Sequence, residues 1–150
     1  MIVLFHFDMQ ILDGKKVASR ILAQVKKDVS ALKKKGVIPK LSIISVGDHS
    51  PSKVYIRRKK EACGEAGIEC EHRHFVKTVS FDELIREIES LNTNPLISGI
   101  IVQLPLPAHI DTPKVMKIIN PSKDVDGFHA YNIGKMFLST EFEHLVASTP

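Results

Sequence analysis

The chain has 150 residues, 43% apolar and 25% charged, a composition that fits one globular domain and excludes a disordered or low-complexity chain. The formal net charge of +4 is small, and its Lys and Arg residues are dispersed apart from Lys33-Lys34-Lys35 and Arg57-Arg58-Lys59-Lys60, so charge alone does not mark a nucleic-acid binder. No apolar run approaches the ~20 residues that span a bilayer.

Residues 1–10 read as an N-terminal extension. Met1 to Asp8 is apolar but short and lacks a basic lead, so it is an added edge strand or an upstream extension rather than a signal peptide. Asp13 reads as a helix N-cap. Val17, Ile21, Leu22, Val25, Val29 and Leu32 follow at helical spacing, and Gly36 is placed to close the helix in the left-handed conformation. Leu41 to Val46 is a short apolar run, the mark of a buried strand. Gly47 to Pro51 is a turn, with Ser50 as the expected cap and Pro51 at the first helical position of a helix closing near Gly67.

Ile68 to Val76 predicts a second strand. Ser80-Phe81-Asp82-Glu83 is a capping box opening a helix to Leu91, broken by Asn92 to Pro95. Ser98 to Gln103 predicts a third strand. A proline-rich loop follows, then a short helix from Asp111 to about Ile119, and a weaker helical pattern over Tyr131 to Leu138. Strands alternate with helices, which predicts an α/β fold: a three-layer αβα domain over 11–150 with a small, mostly parallel sheet.

Ligands of such sheets gather at the carboxyl ends of the strands. Three segments are placed to meet there. Tyr55 and Lys59, four residues apart, share one helix face. Gln103 ends the third strand and enters the loop Leu104-Pro105-Leu106-Pro107. Lys123-Asp124-Val125-Asp126-Gly127 is a turn that presents carboxylates. An aromatic plate, an amine, an amide and an acid are the parts of a pocket for a flat, nitrogen-rich heterocycle.

These same motifs give the chain a family resemblance. Leu12-Asp13-Gly14-Lys15, Val46-Gly47-Asp48, Ser50-Pro51-Ser52, Tyr55 to Lys59, Val102-Gln103-Leu104-Pro105-Leu106-Pro107 and Pro121 to Phe128 occur in the order found in bifunctional methylenetetrahydrofolate dehydrogenase/methenyltetrahydrofolate cyclohydrolases, the FolD family. The likeness runs from about Ile11 to Pro150. It implies a tetrahydrofolate derivative as substrate and NAD(P) as the cofactor of the longer family protein. It also implies that Lys59 is the catalytic lysine, Gln103 its hydrogen-bonding neighbour and Tyr55 the plate over the folate. Asp126 would anchor the pterin, and Ser52, Leu104 and Pro105 would border the substrate.

The chain departs from the family pattern after Ala147-Ser148-Thr149-Pro150, where members continue into a Rossmann cofactor domain, and it has no G-x-G-x-x-G loop. The expectation is therefore a folate site with no NAD(P) site and no metal in this chain. It is joined by expectations of no nucleic acid, no membrane, a homodimer in the full-length protein, and a cytoplasmic location (organellar in a eukaryotic homologue).

Plainer readings stand beside these. Asp124 is a turn-former more than a ligand group, and one of the loop prolines is a candidate cis residue. His72 and His74 share a strand face but have no third metal ligand. Cys63 and Cys70 lack C-x-x-C and zinc-ligand spacing, and they read as reduced packing residues. Two further functions are weighed: a folate-binding module inactive without its cofactor domain, and a phosphate- or nucleic-acid-binding domain built on the two basic clusters.

Overall fold

The hydrophobic run Leu41 to Val46 becomes the middle strand of the sheet. A computed structural model describes residues 13–138, with elements in the order α1 (Gly14–Lys34), β1 (Lys40–Val46), α2 (Ser50–Ala66), β2 (Glu69–Phe75), α3 (Phe81–Thr93), β3 (Gly99–Val102), α4 (Thr112–Ile118) and α5 (Ala130–Leu138). The strands lie in the order β2-β1-β3, and both pairings are parallel. The expected extra edge strand at Met1 to Asp8 lies outside the described residues.

Alternation along β1 and β3 assigns the layers. Ile44, Val46, Ile100 and Val102 face Leu84, Ile88 and Leu91 of α3 and Val115 of α4 in the main core. Ile43 and Ile101 point the other way, against Ile56 of α2. β1 and β3 are thus covered on both sides, which is why they read as mostly apolar runs, interrupted in β1 by the buried Ser42 and Ser45. β2 is the polar edge strand Glu-Cys-Glu-His-Arg-His-Phe. Its Glu71 pairs with Lys40 at 2.9 Å and with Arg73, which also reaches Glu87 of α3. Such charges blunt an exposed sheet edge. Burial opposes the charge of Glu71, but the bonds from Lys40 and Arg73 outweigh it and hold its carboxyl below the usual range.

The helix ends follow the sequence closely. Asp13, Ser80 and Asp111 accept backbone N–H groups from Lys16, Glu83 and Lys114. Gly36, at φ 79°, ends α1: its N–H bonds to Lys33 O and that of Val37 to Leu32 O. A side chain at that φ would be strained, which explains the glycine. One cap differs. His49, not Ser50, is the N-cap of α2, and its ring makes no capping bond, so Ser50 is already helical. Among the described residues, no helix is long and apolar enough to cross a membrane.

Candidate functional site

Tyr55 and Lys59 project from α2 as their spacing requires, and the carboxyl end of β3 lies opposite. Lys59 Nζ donates to Gln103 Oε1 at 3.4 Å. The Gln103 side chain is held from its other end, where Nε2 donates to the Leu104 carbonyl at 3.0 Å. A carbonyl only accepts, so it selects the NH2 end of the amide and leaves the oxygen for the amine. Ser52 Oγ donates to the same Leu104 carbonyl at 3.3 Å and lies 3.1 Å from His49 Nδ1. The peptide between Leu104 and Pro105 is cis.

The acid arrives from a segment stitched to the outside of β3. Ile100 N–H donates to Lys123 O at 2.7 Å, and Asp124 forms a parallel bridge with Ile100. Gly99 permits the approach: a Cβ there would lie 2.6 Å from Val125 Cγ1. The two aspartates of this turn then diverge. Asp124 is buried, and its Oδ2 accepts from His129 N–H at 2.8 Å and Asn132 Nδ2 at 2.9 Å, fastening the start of α5. Asp126 is half-buried, with no hydrogen-bond partner among the described residues. Burial pushes its carboxyl above the ordinary range, Lys59 draws it back down, and Asp124 adds a further push upwards. Lys123 is a structural residue; its amine donates to Leu91 O and Asn94 O at the end of α3.

Tyr55, Lys59, Gln103, Leu104 and Asp126 line one cleft of about 370 Å³, a volume in the range of small-molecule sites. Val102 and Phe128 complete its walls. Neither is among the site residues expected from sequence, although Phe128 follows Asp126 by two residues. Ser52 and Pro105 are not part of this lining. They border an adjoining cavity and touch the cleft only through the Leu104 carbonyl and Gln103.

The remaining candidates fall elsewhere. His72 and His74 both bond to Ser45 in that adjoining cavity, and no group of three His, Cys, Asp or Glu suited to a metal occurs among the described residues. Burial, then the neighbouring Cys70, push the Cys63 thiol up to about 11. It is therefore protonated at neutral pH and a poor nucleophile.

The fold and cleft define an α/β domain with a cleft of small-molecule size at the carboxyl end of β3, lined by an amine and an acid. The chain belongs to the tetrahydrofolate dehydrogenase/cyclohydrolase family, matching its catalytic domain over residues 12–126. It is 46% identical over 143 residues to the bifunctional protein FolD of Sulfurovum, covering 95% of this chain and 50% of that protein. To the FolD of Nautilia profundicola it is 46% identical over 128 residues, covering 85% and 45%. Its structure resembles that of the FolD methylenetetrahydrofolate dehydrogenase/cyclohydrolase of Campylobacter jejuni at a TM-score of 0.89 and 38% identity, covering 93% of this chain and 49% of that one. The FolD of Trypanosoma brucei, solved with NADP cofactor and an inhibitor, gives a TM-score of 0.80 at 33% identity, covering 85% and 43%. The chain thus spans about half the length of the relatives it matches.

Proposed function

We propose that this chain is the folate-binding catalytic domain of a methylenetetrahydrofolate dehydrogenase/methenyltetrahydrofolate cyclohydrolase, and that the cleft beside Lys59 is where water adds to the methenyl group. The supporting observation is the Lys59 to Gln103 bond in a cleft that also holds Tyr55 and Asp126. The pterin presents an amino group and a ring N–H side by side. Asp126, with its oxygens uncommitted, accepts both, and a charged acceptor makes such bonds about twice as strong as neutral ones. Tyr55, 58% exposed, offers an open ring face for stacking.

The methenyl substrate carries an iminium cation. Water attacks its bridging carbon while Lys59, acting as the neutral amine, takes a proton from that water. As one C–N bond of the adduct breaks, the leaving nitrogen takes that proton from Lys59 and the adduct's hydroxyl releases its own to solvent, which leaves the formyl product. Gln103 holds the amine in place without adding a charge. Ser52, Leu104 and Pro105 act at the border, where the Leu104 carbonyl fixes the Gln103 amide.

NAD(P) does not fit the residues present. The four left-handed glycines, Gly36, Gly47, Gly67 and Gly127, sit singly at helix ends and turns and form no phosphate cradle. Hydride transfer therefore belongs, in this reading, to a cofactor domain in the half of the relatives that this chain does not span. The same reading takes residues 11–150 as the folate domain with 1–10 before it, a division supported by the family match beginning at residue 12. Membership of the family is likewise the support for a cytoplasmic location and for a homodimer of the full-length protein.

Calorimetric titration with a tetrahydrofolate derivative tests the site. Saturable binding that Asp126→Ala weakens at least about tenfold, the loss of one hydrogen bond to a charged group, is expected. Binding unchanged by that substitution would refute the pterin anchor. Folate binding without hydrolysis would select the second reading, a module that holds the substrate but needs the part of its relatives that this chain does not span to turn it over.

A further inference from the structure

A second cavity, about 550 Å³, lies around α2 from the folate cleft and shares only Gln103 with it. It opens where β1 and β2 end, the position at which parallel sheets bind ligands. Its wall is built on Ser45. Ser45 Oγ lies 2.8 Å from His72 Nε2 and 3.1 Å from His74 Nδ1. A hydroxyl has one proton, so it donates to one ring and accepts from the other.

The ring that accepts must carry its own proton on the far nitrogen. One imidazole N–H is therefore left over in either arrangement, and protonating the other ring supplies a second. His72 Nδ1 and His74 Nε2 have no protein partner among the described residues.

The charges of the wall leave the same sign unanswered. Lys53 pairs with Asp48 at 2.7 Å and Arg57 with Glu61 at 3.7 Å, while Lys60 has no acidic partner among the described residues. Burial, then His74 and Lys60, hold the His72 ring below its usual pKa, as expected where positive groups crowd together. The start of α2 opens on the same cavity, and no side chain caps it. Its dipole adds a further positive end. A cation is disfavoured here by Lys60 and by the lack of a third ligand.

We propose that this cavity binds the phosphate group of a small phosphorylated molecule, held by His72, His74 and Lys60, with the organic part against Ile56 and Pro105. A phosphate offers three oxygens to donors converging from one strand and a helix, His72 and His74 on β2 and Lys60 on α2. The space beyond it suits an attached body and exceeds what the ion alone needs.

Inorganic phosphate and phenyl phosphate are the probes. They are titrated into the full chain at fixed ionic strength, with imidazole NMR signals and calorimetry as readouts. Saturable binding is expected, with proton uptake at His72 or His74 and with phenyl phosphate the tighter ligand. Lys60→Ala and His72→Gln should each weaken it about tenfold, as for one charged hydrogen bond. Lys34→Ala, at the end of α1 and outside the lining of this cavity, should leave it within about twofold, well under the effect of one hydrogen bond. Lys60 is exposed, so its substitution tests the site even where His72→Gln fails to fold. Non-saturable shifts, equal shifts with chloride, tighter binding of acetate, or affinity indifferent to Lys60→Ala would each overturn the proposal.

Discussion

Asp124 and Asp126 stand two residues apart in one turn, and the structure predicts opposite effects on stability when each is replaced by alanine. Asp124→Ala removes a buried acceptor from two donors, His129 N–H at 2.8 Å and Asn132 Nδ2 at 2.9 Å. Hydrogen bonds to a charged group contribute about 1.5–3 kcal/mol each, but Asn132 keeps its bond to Pro121 O. The expected loss is about 3 kcal/mol, or a Tm lowered by about 6–12 °C for a chain of this size. Asp126→Ala removes a half-buried carboxylate with no bond to lose. Because burial raises its pKa in the folded state, the folded protein holds that proton more tightly than the unfolded chain does.

Its ionisation therefore costs stability above the folded pKa, and the cost vanishes below the ordinary value of 3.8. Asp126→Ala should leave Tm unchanged or raise it at pH 7, with any gain disappearing in acid. Scanning calorimetry of both variants at neutral and acid pH reads this directly. Equal losses at the two positions, or a larger loss at Asp126, would refute the division between an aspartate that holds the turn and one kept free for a ligand.

Further outcomes follow from the same geometry. Gly99→Ala should destabilise by about 1–3 kcal/mol, the usual range for overpacking, because its Cβ would meet Val125 Cγ1 at 2.6 Å. It should also weaken folate binding by moving the Asp126 turn, a pairing of effects that melting and calorimetry check together. Folate affinity should fall as pH drops through a pKa above 3.8, since Asp126 must be ionised to accept both pterin donors and burial raises it. An affinity flat down to the ordinary carboxylate range would exclude Asp126 as that acceptor.

Much of the fold was legible because its signals are local. Asp13, Ser80 and Asp111 cap their helices through side chains that reach only three residues along the chain. Gly36 closes α1 for the equally local reason of its positive φ. The α2 cap was misread by one residue because Ser50-Pro51 satisfies the usual composition, while the chain turns helical at Ser50 with His49 before it. The period of Val17 and Ile21 gave the helix, yet they remain 44% and 58% exposed, since a period shows that a face exists and not what covers it.

At the cleft, helical spacing placed Tyr55 and Lys59 together, and the strand end delivered Gln103. The approach of Asp126 depends on Ile100 bonding to Lys123 and on the gap left by Gly99. Those contacts join positions far apart in sequence, and no local signal carries them. The same limit explains why His72 and His74 read as plain strand residues. Their link is Ser45 on the neighbouring strand, a matter of sheet register.

The most direct test of the central claim follows the loss of methenyltetrahydrofolate in the presence of the wild-type chain and of Lys59→Ala. Hydrolysis faster than the spontaneous rate, returned to that rate by the substitution with the melting curve intact, is the predicted result. Enhanced hydrolysis that persists without the Lys59 amine would contradict it.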